Sequence, residues 1–223
     1  MTTNLSYLIA YISSHSVVIP LLIAAFRWRY LRGSLLLFAL FEAFSLGFAI
    51  YSALTFSDGN NSYLEFISLS VDVVMMSLIF GPLMPTAAQR IAVRVGGVLF
   101  VAGILADYIW GEGLKKIGAS YAASLELMLV TATILVYLST LLKQHRESLR
   151  RYPMAVISCG MVFINLICLP VYLFGPTLMN YSMTLTLRTY DLMYLSGIIV
   201  QLGYGYAFWL TKATSSDRFM TIA

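Results

Sequence analysis

The stretch SYAASLELMLVTATILVYLSTLLKQHRESLRRYP, residues 120–153, opens with twenty-three residues that carry one charge, Glu126, and closes on Lys143, Arg146, Arg150 and Arg151. A hydrocarbon core about 30 Å thick is crossed by about 20 apolar residues of α-helix. Residues 120–142 therefore read as a transmembrane helix. Lys and Arg gather on the cytoplasmic side of membrane proteins, so the basic run after it reads as a cytoplasmic loop.

The same pattern recurs in both directions along the chain. Segments near 5–26, 33–56, 63–84, 91–110, 154–175 and 190–211 are each long and apolar enough to cross. Between them lie RWRYLRG, SDGNNS, PLMPTAAQR, GEGLKKIG, KQHRESLRRYP and GPTLMNYSMTLTLR, rich in polar and turn-forming residues. No break is long enough for a second domain, so 1–223 reads as a single seven-helix domain. Composition agrees: 60% of residues are hydrophobic and 11% charged, where soluble domains carry about 25% charged residues. The mean hydropathy is +0.83. A soluble protein of 223 residues could not bury that much apolar surface, so the bilayer is the solvent.

Orientation follows from the basic residues. Arg27, Arg29, Arg32, Arg90, Arg94, Lys143, Arg146, Arg150, Arg151, Lys212 and Arg218 fall on one side, and Lys115, Lys116 and Arg188 on the other. This split places the first group, and the C-terminus, in the cytoplasm and the N-terminus outside. Trp28, Trp110 and Trp209 sit at predicted helix ends, where an aromatic belt belongs. The formal charge of +4 is thus explained by topology, and no nucleic-acid-binding pattern is visible. The opening MTTNLSYLIAYISSHSVVIPLL lacks the basic region of a cleaved signal, which predicts a retained first helix. Cys159 and Cys168 share one predicted helix roughly 13 Å apart, too far for a disulfide.

Within the bundle, Gly96, Gly97, Gly103, Gly197, Gly203 and Gly205 read as packing seams, since small residues let helices approach in lipid. Pro20 and Pro170 are expected to kink the first and sixth helices. LEFISLS at 64–70 can be laid over YDLMYLS at 190–196, pairing Glu65 with Asp191. A 3+1+3 repeat of the transporter kind would produce such a match, and so would chance between two apolar segments.

The chemistry-bearing residues are ionisable groups inside apolar segments, where they are costly and face the bundle interior or water. His15 lies near the middle of the first helix, Glu42 in the second, Asp72 in the third with Glu65 two turns away on the same face, and Glu126 in the fifth. Asp107 and Asp191 fall near outer helix ends, and Asn165 and Gln201 add uncharged polar groups in the sixth and seventh. No Lys or Arg lies deep in any segment. Such acids either keep their protons and act as interhelical hydrogen-bonding glue, or hold a cation, a cationic ligand or a proton in transit. Asp107, Asp191 and Glu65 also read as solvated interfacial residues, and His15 as a satisfied core histidine. Tyr194, Tyr204 and Tyr206 could line a pocket.

Several activities are excluded by residue inventory. A retinal Schiff base needs a mid-membrane lysine in the seventh helix, where Gln201 stands instead. Zinc-dependent seven-helix hydrolases need several histidines, and the chain has His15 and His145 only. GxSG is absent, and Tyr190-Asp191 has no GxGD partner. No catalytic constellation, metal site or cofactor is predicted, so the chain reads as a non-enzyme.

The chain resembles small stand-alone seven-helix membrane proteins found in many environmental bacteria. The resemblance rests on SLLLFALFEAFSLGFAIYS, YLEFISLSV, SYAASLELMLVTATILVYLSTLLK and LMYLSGIIVQLGYGYAFW, spread over nearly the whole chain. It implies a bacterial inner (plasma) membrane location and no particular activity. The expected function is a receptor-like or sensor-like bundle that binds a small molecule or cation in an acidic cavity of its outer half. Glu126, Asp72 and Glu65 would line it, with Glu42, Asn165 and Gln201 as a deeper layer and His15 nearby. A protein partner would dock on the basic loop 143–151. The alternatives are a proton- or sodium-coupled transporter and a membrane scaffold.

Overall fold

The computed structural model describes residues 2–55, 62–110, 120–144 and 152–211, and among these it is built of helices with no strand. The helices are α1 (Thr2–Ser16), α2 (Val18–Arg27), α3 (Ser34–Thr55), α4 (Ser62–Phe80), α5 (Ala87–Trp110), α6 (Ser120–Gln144), α7 (Pro153–Tyr181) and α8 (Met183–Leu210). Among the described residues six stretches are long and apolar enough to cross a membrane: Leu5–Tyr30, Ser34–Ser52, Phe66–Leu83, Ala87–Asp107, Tyr121–Lys143 and Pro153–Gly175. This is a multi-pass helical membrane protein. Helix α8 has the length, 28 residues, but Arg188, Asp191, Gln201 and four tyrosines dilute its apolar character.

The first predicted helix is two. Helix α1 stops at Ser16, the residue four before Pro20, and α2 begins at Val18. Proline has no N–H to give the carbonyl four residues back, and its ring crowds that carbonyl. Pro170 has no comparable effect, since α7 runs through it unbroken. After α2 a short 3-10 turn, Trp28–Tyr30, leads to Gly33, whose φ of +53° suits a residue without a Cβ.

The stretch GPTLMNYSMTLTLR, expected to be a loop, is helical except at Ser182. Ser182 takes an extended conformation, and its hydroxyl accepts from the Leu185 amide as the N-cap of α8. Helices α7 and α8 therefore form a hairpin with a one-residue hinge. Its closeness shows at Gly175, where a Cβ would stand 3.8 Å from the Tyr190 hydroxyl. Residues 56–61, 111–119 and 145–151 lie outside the described residues.

Sequential helices pack as neighbours, α8 returns against α1 and α2, and α4 touches α3, α5 and α6. In lipid this packing is driven by close van der Waals contact rather than by water exclusion. Gly205 shows it, since a Cβ there would stand 2.9 Å from Ile23 Cδ1 and 3.8 Å from the Pro20 Cα. Ser6 donates to Asp191 near one end of this pair, and Arg27 stacks over Trp209 at the other. Helix α8 therefore runs parallel to the α1–α2 rod along its length. The most tightly buried side chains, among them Phe38, Ile79, Phe80, Ile134, Ile157, Ala207 and Phe208, fall where α3 and α7 begin and α4, α6 and α8 end. That end of the bundle is solid. The other end is not.

Candidate functional site

Toward the end where α4 and α6 begin, four helices line a half-open cavity of about 310 Å³. Each long wall comes from one stripe of a helix. Helix α4 supplies Ser68, Leu69, Asp72 and Met76; α6 supplies Ala123, Glu126, Leu127 and Val130; α7 supplies Met161, Asn165, Cys168 and Tyr172. These spacings of three and four residues are those of one helical face. Helix α3 adds Phe41. Among the described residues no Lys or Arg lines the cavity.

The polar groups differ in how they are held. Ser68, one turn before Asp72, donates to its carboxylate. Asn165 is 7% exposed, and its amide nitrogen donates to Thr131 Oγ1 at 3.0 Å, fixing α7 to α6. Glu126 is 9% exposed and faces the cavity with no hydrogen-bond donor or basic partner among the described residues. The charges of Asp72 and Glu126 oppose one another across the space. Carboxylates held apart from water and from any cation are costly, so these two groups either keep their protons or meet a positive or donor group in the cavity.

A second polar layer lies beside the cavity without lining it. Glu42, 5% exposed, accepts a hydrogen bond from Gln201 on α8, and its charge also opposes that of Asp72. The Gln201 Oε1 is buried with no partner among the described residues, as expected if its amide nitrogen is turned to Glu42. Tyr204 stands close to Glu42, its ring meeting Phe38 edge-on at 4.9 Å.

The chain matches no family model, no curated protein and no solved structure. Function therefore rests on this geometry alone. Among the described residues no three His, Cys, Asp or Glu side chains come together as a metal-ion site.

Of the residues expected to bind, Asp72, Glu126 and Asn165 meet in the cavity, Asn165 in its wall rather than in a deeper layer. Glu42 and Gln201 form the adjacent layer. Glu65 belongs to α4, but its side chain lies outside the described ones. His15 does not belong to this group: its ring is exposed on the outer face of α1, tilted against the Tyr11 ring, and it is neither a core nor a cavity residue. Of the other acids, Asp107 is exposed, and Asp191 accepts from Ser6 at 2.9 Å. Ser68, Cys168 and Tyr172 were not foreseen. Their signal was present as helical spacing, four residues before Asp72 and three and seven after Asn165. The basic loop, beyond Gln144, lies outside the described residues.

Proposed function

We propose that the chain is a seven-span, receptor-like membrane protein that binds a small organic cation in the cavity between α3, α4, α6 and α7. One observation carries this reading: the cavity holds two opposed carboxyl groups and no basic residue, with Glu126 nine-tenths buried and unpartnered. A volume near 310 Å³ stands at the small end of ligand sites, roughly 300–1,000 Å³. The rest of the lining is largely apolar or aromatic (Phe41, Leu69, Met76, Leu127, Tyr172) and suits an organic body. A bare metal ion would leave that surface uncovered.

Helix α8 is the seventh span in this reading, since it runs parallel to the α1–α2 rod for its full length. With the basic residues inward, the solid end of the bundle faces the cytoplasm and the cavity opens toward the outside. The output would pass to a protein partner at loop 143–151, in a bacterial inner membrane if the resemblance holds.

The test is thermal stability of the purified protein against a panel of small amines, with neutral alcohols of the same shape. A ligand at 100 times its Kd raises stability by about 2.7 kcal/mol. Amines should stabilise the wild type, alcohols should not, and Glu126→Gln and Asp72→Asn should each lose the response. Equal behaviour of amines and alcohols would refute the cationic class, and no response to either would refute binding here.

A cation-coupled transporter is the second reading, favoured by Glu42 standing next to Asp72 as a further acid toward the cytoplasmic half. It predicts uptake into liposomes that stops when the ion gradient is dissipated. The scaffold reading expects a bundle interior packed throughout, and the cavity weighs against it.

A further inference from the structure

The outer surface of the bundle carries a feature that surrounding lipid does not explain. Tyr7, Tyr11, Ser14 and Val18 are all exposed on one face of the first span, with His15 beside them. Their alternating four- and three-residue spacing is that of a seam between two helices. His15 is ten residues into the span that begins at Leu5, roughly 15 Å along the helix and so near the middle of a core about 30 Å thick. Asp107, also exposed, lies only three residues from the end of α5; His15 has no such route to water.

The histidine's own bonds define what it lacks. Its Nδ1 lies 2.8 Å from the Tyr11 carbonyl oxygen. A carbonyl can only accept, so this contact is a hydrogen bond when Nδ1 carries the proton, which the Ser14 Oγ at 3.1 Å can share as a second acceptor. Nε2 of the neutral ring is then an acceptor. Nε2 has no donor among the described residues, and hydrocarbon offers none. An acceptor left bare in the middle of a bilayer is costly. The same face carries a donor, the Tyr11 hydroxyl, one turn from His15, whereas the Ser14 hydroxyl is already given to the Tyr11 carbonyl at 2.9 Å.

We propose that this face of α1 is where two copies of the chain meet, in an isologous dimer in which the His15 Nε2 of each copy accepts from a hydroxyl on the first helix of the other. A second copy fits because the face is self-complementary, with acceptor and donor a turn apart. A two-fold axis along the membrane normal brings equal depths opposite each other. Ser14 is small enough there to let the helices approach. This inference is independent of the cavity, which lies between α3, α4, α6 and α7.

The test uses cysteine cross-linking of the full chain in membranes, in a Cys159→Ser, Cys168→Ser background. Ser14→Cys should form a disulfide-linked dimer, whereas Ser13→Cys, turned toward Gly197 on α8, and Val98→Cys, exposed on α5, should not. In vesicles, energy transfer between labelled copies should show His15→Leu dimerising about 8- to 900-fold more weakly, the range for losing two interhelical hydrogen bonds in lipid, one from each copy. His15→Asn, which keeps an acceptor, should retain more of the dimer. Helicity of each variant by circular dichroism separates misfolding from loss of contact. Failure of Ser14→Cys to cross-link, or cross-linking no faster than at Val98→Cys, overturns the proposal, as does a well-folded His15→Leu variant that dimerises like the wild type.

Discussion

Glu126 and Glu42 are both buried acids, yet they stand in opposite relations to their surroundings. Glu42 is one half of a made hydrogen bond, so Glu42→Ala strands the buried Gln201 amide on α8. Leaving a buried partner unsatisfied costs about 1–3 kcal/mol, and Glu42→Ala should lower the unfolding midpoint accordingly, while Glu42→Gln should fall within about 1 kcal/mol of the wild type. Glu126 has no partner to strand. Glu126→Gln should therefore leave ligand-free stability within about 1 kcal/mol of the wild type, while the response to amines disappears. A large loss of ligand-free stability in Glu126→Gln would mean that the carboxyl is interhelical glue. At this scale the sequence was informative about which residues matter and poor about which way they point. Asp72, Glu126 and Asn165 stand out because acids and amides are expensive in hydrocarbon. The facing of His15 was not legible, because polar residues occur on several sides of α1, among them Ser6, Ser13, Ser14 and Ser16, and leave no single polar stripe to set its phase.

The elements repeat the lesson in terms of glycine. Six glycines read alike in the sequence as packing seams, but their surroundings differ. A Cβ at Gly205 would meet Ile23 at 2.9 Å, with the Pro20 backbone behind it, whereas at Gly203 nothing stands within 4 Å. Gly205→Val should force α8 away from α2 and cost about 1–3 kcal/mol, as overpacking does. Gly203→Ala should be neutral or stabilising by about 0.5–1 kcal/mol, the usual gain of Ala over Gly in a helix. Both are read from thermal unfolding in detergent, and equal losses at the two sites would mean that α8 does not press on α2 as described. Helix existence was legible throughout, because runs of about 20 apolar residues admit one structure in lipid. The α7–α8 junction was not. Gly175, Pro176 and Ser182 carry the local marks of a long break, but packing between the two helices holds all but Ser182 helical, and local propensity yields to that contact.

For the whole molecule, the question that matters is whether α8 crosses. The described helices contain six stretches apolar enough to do so, and composition alone would leave α8 lying at the surface. Its packing argues otherwise. A helix that meets Ser6 through Asp191 near one end of the first span and Arg27 through Trp209 at the other lies alongside that span over its whole length, as a crossing helix must. With 28 residues it extends roughly 42 Å, longer than the core. Single cysteines at Arg32, Ser182 and Trp209, in the same cysteine-free background, decide the matter by labelling with an impermeant thiol reagent in intact cells, since Arg32 and Trp209 are exposed near that end of the bundle. If α8 crosses and the basic loops are cytoplasmic, Ser182→Cys is labelled from outside, while Arg32→Cys and Trp209→Cys are labelled only after the membrane is opened. If α8 does not cross, Ser182→Cys and Trp209→Cys label from the same side. The cavity depends on the outcome, because it lies toward the Ser182 end of the bundle. External labelling at Ser182 alone makes it a site for molecules arriving from outside, whereas the inverted pattern would make it a site for cytoplasmic ones.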